Sequence, residues 1–209
     1  MKSTSAVAAF MIFAVSFNSH SAPHCGELSQ PGGFGPFDYI NASDRTTHLP
    51  VVEAYHFTQS VESLTSGSSG KVGGDLDYTL RAFPNHHRAL AAMAKLSLKE
   101  KTSKPAGATY SVQCYFDRAI RFKPNDAIVR MIYGNHLLKA GQVDQATEQL
   151  KEAHDLQPDN PTINYNLGLL YMQRKNYEEA RNYAKKAYEL GFPLPGLKNQ
   201  LISAGKWQE

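Results

Sequence analysis

The chain has 209 residues, enough for one folded unit or a small domain with a substantial attachment, and too few for a large multidomain machine. Hydrophobic residues make up 42% and charged residues 20%, a balance that builds a core and excludes a highly charged disordered tail. The formal charge is +3, from 22 Lys and Arg against 19 Asp and Glu, and no basic run is longer than Lys185 with Lys186, so the electrostatic footprint of a nucleic-acid binder is missing.

The chain opens with one basic residue at Lys2, an apolar stretch from Ala6 to Phe17, and small residues at Ser19, Ser21 and Ala22. This pattern predicts a cleaved export signal over residues 1–21, its apolar part too short for a permanent membrane span. No later segment supplies a membrane helix, so the expected product is periplasmic or secreted, with no integral membrane segment after signal removal. It keeps two cysteines, Cys25 and Cys114, 89 positions apart and without a CxxC pattern. In an oxidising compartment they predict a disulfide; the alternative makes Cys114 a buried small apolar residue and leaves Cys25 mobile.

Residues 22–83 read as an N-terminal extension. The stretch PGGFGPFDY interrupts regular structure, while Phe34, Phe37 and Tyr39 offer anchors for packing an irregular segment onto another surface. From Pro50 to about Leu64 the apolar spacing predicts one helix, with Pro50 in its first turn. GSSGKVGG then predicts a loop, Asp75 a cap for a short helix burying Leu76, Leu80 and Phe83, and Pro84 its limit.

The second half repeats with a period of 34: Tyr133, Gly134, Leu137, Ala146, Leu150, Ala153 and Pro158 are followed by Leu167, Gly168, Tyr171, Ala180, Ala184, Ala187 and Phe192. Small residues permit close helix crossing and larger ones fill the spaces between. This pattern resembles the tetratricopeptide repeat family, which implies two copies of one helix pair. A third, less regular copy precedes them, with Leu90, Ala91 and Ala94 on its first helix and Tyr115, Ala119 and Pro124 at the end of its second. There Ser111 takes the crossing position, after an insertion of about eight residues around KTSKPAG that belongs in the inter-helix turn. Leu194, Leu197, Leu201, Ile202 and Trp207 predict a terminal helix covering the last repeat. The expected fold is an all-α, tetratricopeptide-like helical solenoid over 84–209, with pairs at 84–126, 127–160 and 161–194, a partly irregular N-terminal extension and a C-terminal capping helix.

The resemblance implies that the first helix of each pair lines a concave face. This places Ile128, Met131, Asn135, Leu138 and Lys139 there, then Thr162, Tyr165, Leu169, Met172 and Gln173, with Asn85, Arg88, Ala92 and Lys95 from the irregular copy. The candidate partner-binding set is Arg88, Lys95, Met131, Asn135, Lys139, Tyr165, Asn166 and Gln173, a mixture of aliphatic, aromatic, amide and basic groups suited to a protein or peptide. Asn135 and Asn166 resemble amide positions of the clamp with which some family members hold a peptide terminus, but Met131 stands where a basic residue is expected. No catalytic residues, cofactor or metal ligands are assigned, and nothing fixes an oligomeric state. The function expected is an exported noncatalytic adaptor or assembly factor. The alternative is a metal-dependent accessory protein or enzyme using Glu53, His56, Asp75, Asp77, His86 and His87 between the extension and the first repeat.

Overall fold

The computed structural model describes residues 25–29 and 33–208, so the export signal expected at 1–21 lies outside the described residues. The described chain is all-α. Its extension carries α1 (Ala42–Thr47), α2 (Leu49–His56), α3 (Gln59–Glu62) and α4 (Val72–Ala82). Three pairs follow: α5 (His87–Glu100) with α6 (Val112–Phe122), α7 (Ala127–Lys139) with α8 (Val143–Leu156), and α9 (Pro161–Gln173) with α10 (Tyr177–Glu189). α11 (Gly196–Ser203) ends the array.

Each first helix starts on a side chain that caps its free backbone amides. His86 Nδ1 accepts from Ala89 N, Asp126 Oδ1 from Ile128 and Val129 N, and Asn160 Oδ1 from Thr162 and Ile163 N. The most extensive helix contacts are α7 on α8 and α9 on α10. The former pair closes through glycine, because a Cβ on Gly134 would run into the Leu150 side chain of α8, and Gly168 makes room chiefly for Leu197 of α11, with the Ala180 carbonyl of α10 3.3 Å from where its Cβ would stand. Ala146, Leu150, Ala153, Ala180, Ala184 and Ala187 are all fully buried, as the period requires.

The irregular copy keeps this packing in a different register from the one expected. Ser111 is the N-cap of α6, its Oγ accepting from Cys114 N, and the buried crossing residue is Val112, 34 positions before Ala146. Phe116 and Ala119 likewise precede Leu150 and Ala153 by one period, and both are fully buried. α5 runs on to Glu100, and residues 101–111 form the insertion in the turn.

The extension packs against this first pair rather than along the array. A disulfide joins Cys25 to Cys114 on α6, with Cα atoms 5.0 Å apart. Arg118, only 1% exposed, donates from Nη1 to the carbonyls of Cys25 and Glu27, and Arg121 donates to that of Gly26. Further on, Phe37 N donates to Ala82 O at 2.8 Å, Tyr39 N to Asn85 Oδ1 at 2.9 Å, and Lys123 pairs with Asp38 at 2.7 Å. Gly35, at φ +104°, brings the backbone against the Ala82 carbonyl, where a Cβ would lie 2.5 Å away.

Two local expectations need correction. The helix expected from Pro50 to Leu64 is broken into α2 and α3: Phe57 leaves helical geometry and Leu64 turns at φ +59°. The break serves two cores, since Leu49 and Val52 pack with Phe83, whereas Phe57, Val61 and Leu64 join the main cluster with Leu76, Leu90 and Phe116. No single straight helix presents both groups to both places. Asp75 does not cap α4, which begins at Val72; its buried carboxylate turns back onto the preceding loop. At the far end Leu197 and Leu201 are buried and Trp207 packs on the last pair, while Leu194 and Ile202 face outward.

Closing so long a loop restricts the unfolded chain, which in the chain-entropy account contributes about 5 kcal/mol. Urea unfolding of the Cys25→Ser, Cys114→Ser chain is expected to show a stability loss of that order; a midpoint equal to that of the oxidised protein contradicts it.

Candidate partner-binding groove

The first helices repeat their face with simple offsets. Lys95 stands 40 positions before Asn135, which stands 34 before Leu169; Leu98, Leu138 and Met172 form a second such row, and Lys99, Lys139 and Gln173 a third. Between α5 and α7 these rows border a cavity of about 350 Å³ with Ala91, Ala94, Leu98 and Ile132 as apolar lining and Lys95, Asn135, His136 and Lys139 as polar lining. A second cavity, of about 440 Å³, lies between α7, α9 and α11, lined by Leu138, Leu169 and Met172 with Lys139, Gln173 and Gln200. Lys139 borders both, so the two form one groove across the array. Among the described residues, none of the extension lines either cavity, so FGPFDY does not occupy them.

The eight candidate residues divide by surroundings. Lys95, Asn135, Lys139 and Gln173 line the groove, and neither lysine makes an ion pair among the described residues. Arg88 is exposed but engaged: it pairs with Glu62 and Glu53 and lies 5.1 Å from the Phe57 ring centroid, and the Glu62 hydrogen bond raises its pKa further. Met131 packs against the core of the second pair. Tyr165 stacks on Phe192 at 4.0 Å and fills the space beside Gly196. Asn166 is 8% exposed, with its Nδ2 unpartnered among the described residues. The irregular copy again shifts by one: Ala91 lines the cavity, whereas Ala92 and Asn85 are buried.

Two polar groove residues were missed, besides the apolar Ala91, Ala94, Leu98 and Ile132. Gln200 arrives from α11, and only the crossing of that helix over α9 places it. His136 stacks on Phe116, with its Nδ1 buried, and burial followed by the nearby Lys139 charge lowers its pKa. Its offset of one from Asn135 gave the only signal.

The histidines proposed for the alternative site do not converge. Each takes a separate carboxylate: His56 Nδ1 lies 3.0 Å from Asp75, His86 Nε2 3.1 Å from Glu53 and His87 Nε2 2.8 Å from Asp126. Among the described residues no three His, Cys, Asp or Glu side chains are grouped to hold a metal ion. No helix among them is long and apolar enough to cross a membrane.

Comparison with known proteins agrees with this architecture. A family model described as TPR repeat matches residues 134–174, and one described as Tetratricopeptide repeat matches 161–191. Residues 134–191 thus carry tetratricopeptide repeats. No curated protein sequence matches it. Among solved structures, one from work on Pseudomonas aeruginosa pilF superposes with a TM-score of 0.54 at 21% identity, covering 78% of this chain and 70% of that one. A MamA mutant gives 0.45 at 21% identity, over 68% and 74%. The pilF likeness is one of fold.

The buried His86 generates a pH dependence. Its Nδ1 accepts the Ala89 amide, so Nε2 carries the proton donated to Glu53. Burial lowers its pKa below the ordinary 6.5 despite that neighbour. The unfolded chain therefore takes up the proton first, and the stability present above about pH 6.5 is lost as pH falls, by up to ~1.4 kcal/mol per unit. His86→Asn, which keeps a capping oxygen, is expected to shrink the drop in urea midpoint between pH 7 and pH 5; an unchanged drop assigns it to other groups.

Proposed function

We propose that the chain is an exported, noncatalytic adaptor or assembly factor that binds a protein or peptide segment along the groove of α5, α7 and α9. The observation that carries this reading is the pair of apolar-floored cavities joined at Lys139, bordered by lysines and amides and left open by the extension. An acidic amphipathic segment fits this surface best, with apolar side chains in the two cavities and carboxylates near Lys95 and Lys139. In this reading Lys95, Asn135, Lys139 and Gln173 touch the partner. Arg88, Met131, Tyr165 and Asn166 shape the groove through their packing and ion pairs.

The division of labour follows. Residues 84–209 act as the recognition array, and 22–83 as the extension that closes its first repeat. The apolar leader and the Cys25–Cys114 disulfide support a periplasmic or secreted location, because such bonds persist in oxidising compartments.

The test is capture of exported proteins by the oxidised chain and by a Lys95→Glu, Lys139→Glu variant. A partner held through carboxylates is expected to be retained at least ~10-fold less by the variant, a loss of about 1.4 kcal/mol, with the helical circular-dichroism signal unchanged. Equal retention rejects the groove as the binding surface.

A further inference from the structure

Away from the groove, α2 leaves part of its apolar face uncovered. Val51 is 46% and Tyr55 67% exposed, and Phe34, at 44%, stands beside them. With Val52, His56 and Tyr78 these residues line a pocket of about 260 Å³. That is smaller than the roughly 300–1,000 Å³ of sites for drug-sized molecules and suits a single ring.

The polar wall of this pocket is held from behind. His56 stacks on Tyr78, with ring centroids 3.9 Å apart, and its Nδ1 lies 3.0 Å from Asp75 Oδ1. Asp75 is completely buried, and the loop GSSG wraps around it. Ser68 N and Ser69 N donate to Oδ2 at 2.7 and 3.2 Å, and Ser69 Oγ donates to Oδ1 at 2.5 Å. Gly67 permits this approach, since a Cβ there would stand 2.9 Å from Asp75 Oδ2. Burial opposes the charge, yet the donors from Ser69, His56 and the loop amides hold the carboxyl below its ordinary pKa.

An ionised carboxylate only accepts, so Nδ1 of His56 carries the shared proton. In the neutral imidazole the lone pair is then on Nε2, which has no hydrogen-bond partner among the described residues. A carboxylate locked by four donors thus fixes the tautomer of a histidine that borders an aromatic pocket. An anionic ligand would meet the Asp75 charge behind the ring, whereas a neutral hydroxyl supplies the proton that Nε2 accepts. We propose that this pocket binds a small neutral aromatic molecule bearing a hydroxyl, its ring among Phe34, Tyr55 and Tyr78 and its O–H donating to His56 Nε2. This site is independent of the groove and its partner.

The probes are p-cresol and toluene, which share a shape and differ in the hydroxyl. Each is titrated into the oxidised full chain while the histidine ring resonances are followed by NMR, with His56 assigned by its loss in His56→Phe. The expected result is a saturable shift of the His56 resonance and p-cresol binding at least ~10-fold tighter than toluene, a preference of about 1.4 kcal/mol. In His56→Phe that preference is expected to vanish. No saturable shift up to the solubility limit overturns the site. Equal affinity for the two probes, or a preference that survives in His56→Phe, overturns the acceptor role. Should His56→Phe fail to fold, the comparison of the two probes on the unaltered protein decides alone.

Discussion

The fold depends on the joint between residues 25–28 and α6. The joint combines a covalent bond at Cys114 with the buried guanidinium of Arg118, whose charge is compensated by backbone carbonyls and by the Tyr110 ring 4.7 Å away. It brings the extension against the first repeat, where Phe57, Val61, Leu76 and Leu80 complete a core with Leu90, Met93 and Phe116. A solenoid needs its ends covered, and here the extension covers one end as α11 covers the other.

That docking also decides what the groove is free to do. The aromatic anchors are used on the extension side: Phe37 stacks on His48 and contacts Phe83, and Tyr39 packs on His86. The extension therefore spends these two rings at the start of the array, and Lys99 reaches it through the Leu64 carbonyl. Along the first helices Lys95, Asn135, Lys139 and Gln173 stay available to solvent. The same arrangement shapes the aromatic pocket on α2, since Phe34 belongs to the irregular segment held in place by Gly35 and Phe37.

Much of this was legible because a close helix crossing tolerates few residue types. Gly134 with Gly168, Ala146 with Ala180, and Ala153 with Ala187 announce the period and hence the positions of Asn135, Lys139 and Gln173 on one face. The register of the first pair was not legible, because an insertion of uncertain length makes Ser111 and Val112 equally good candidates until one of them caps a helix. The slip from Ala91 to Ala92 has the same origin. The break after His56 reflects two separate cores, which a single periodicity does not represent. Tyr165 and Arg88 find their partners on elements distant in sequence, at Phe192 and at Glu53 and Glu62, so no local pattern reveals that they are engaged. The His56 and Asp75 pairing belongs to this class too: it spans two helices, a third and a loop, and Asp75 looked like an ordinary cap.

The two ends of the array are fastened by different means. At the start the chain is held by a covalent bond, buried cation contacts and an ion pair between Lys123 and Asp38. At the finish α11 is held by side-chain packing, chiefly Leu197 and Leu201 beneath it with Trp207 beyond, and by the Tyr188 hydroxyl accepting from Lys198 N. In a linear stack each unit depends on its neighbours, so thermal opening proceeds most readily from the less securely fastened end. The array is thus directional, anchored at one terminus and able to fray at the other. Because Gln200 on α11 forms part of the second cavity, fraying would dismantle that half of the groove while Lys95 and Asn135 remained in place. A segment seated across both cavities would act as a splint, binding the fraying end to the anchored one.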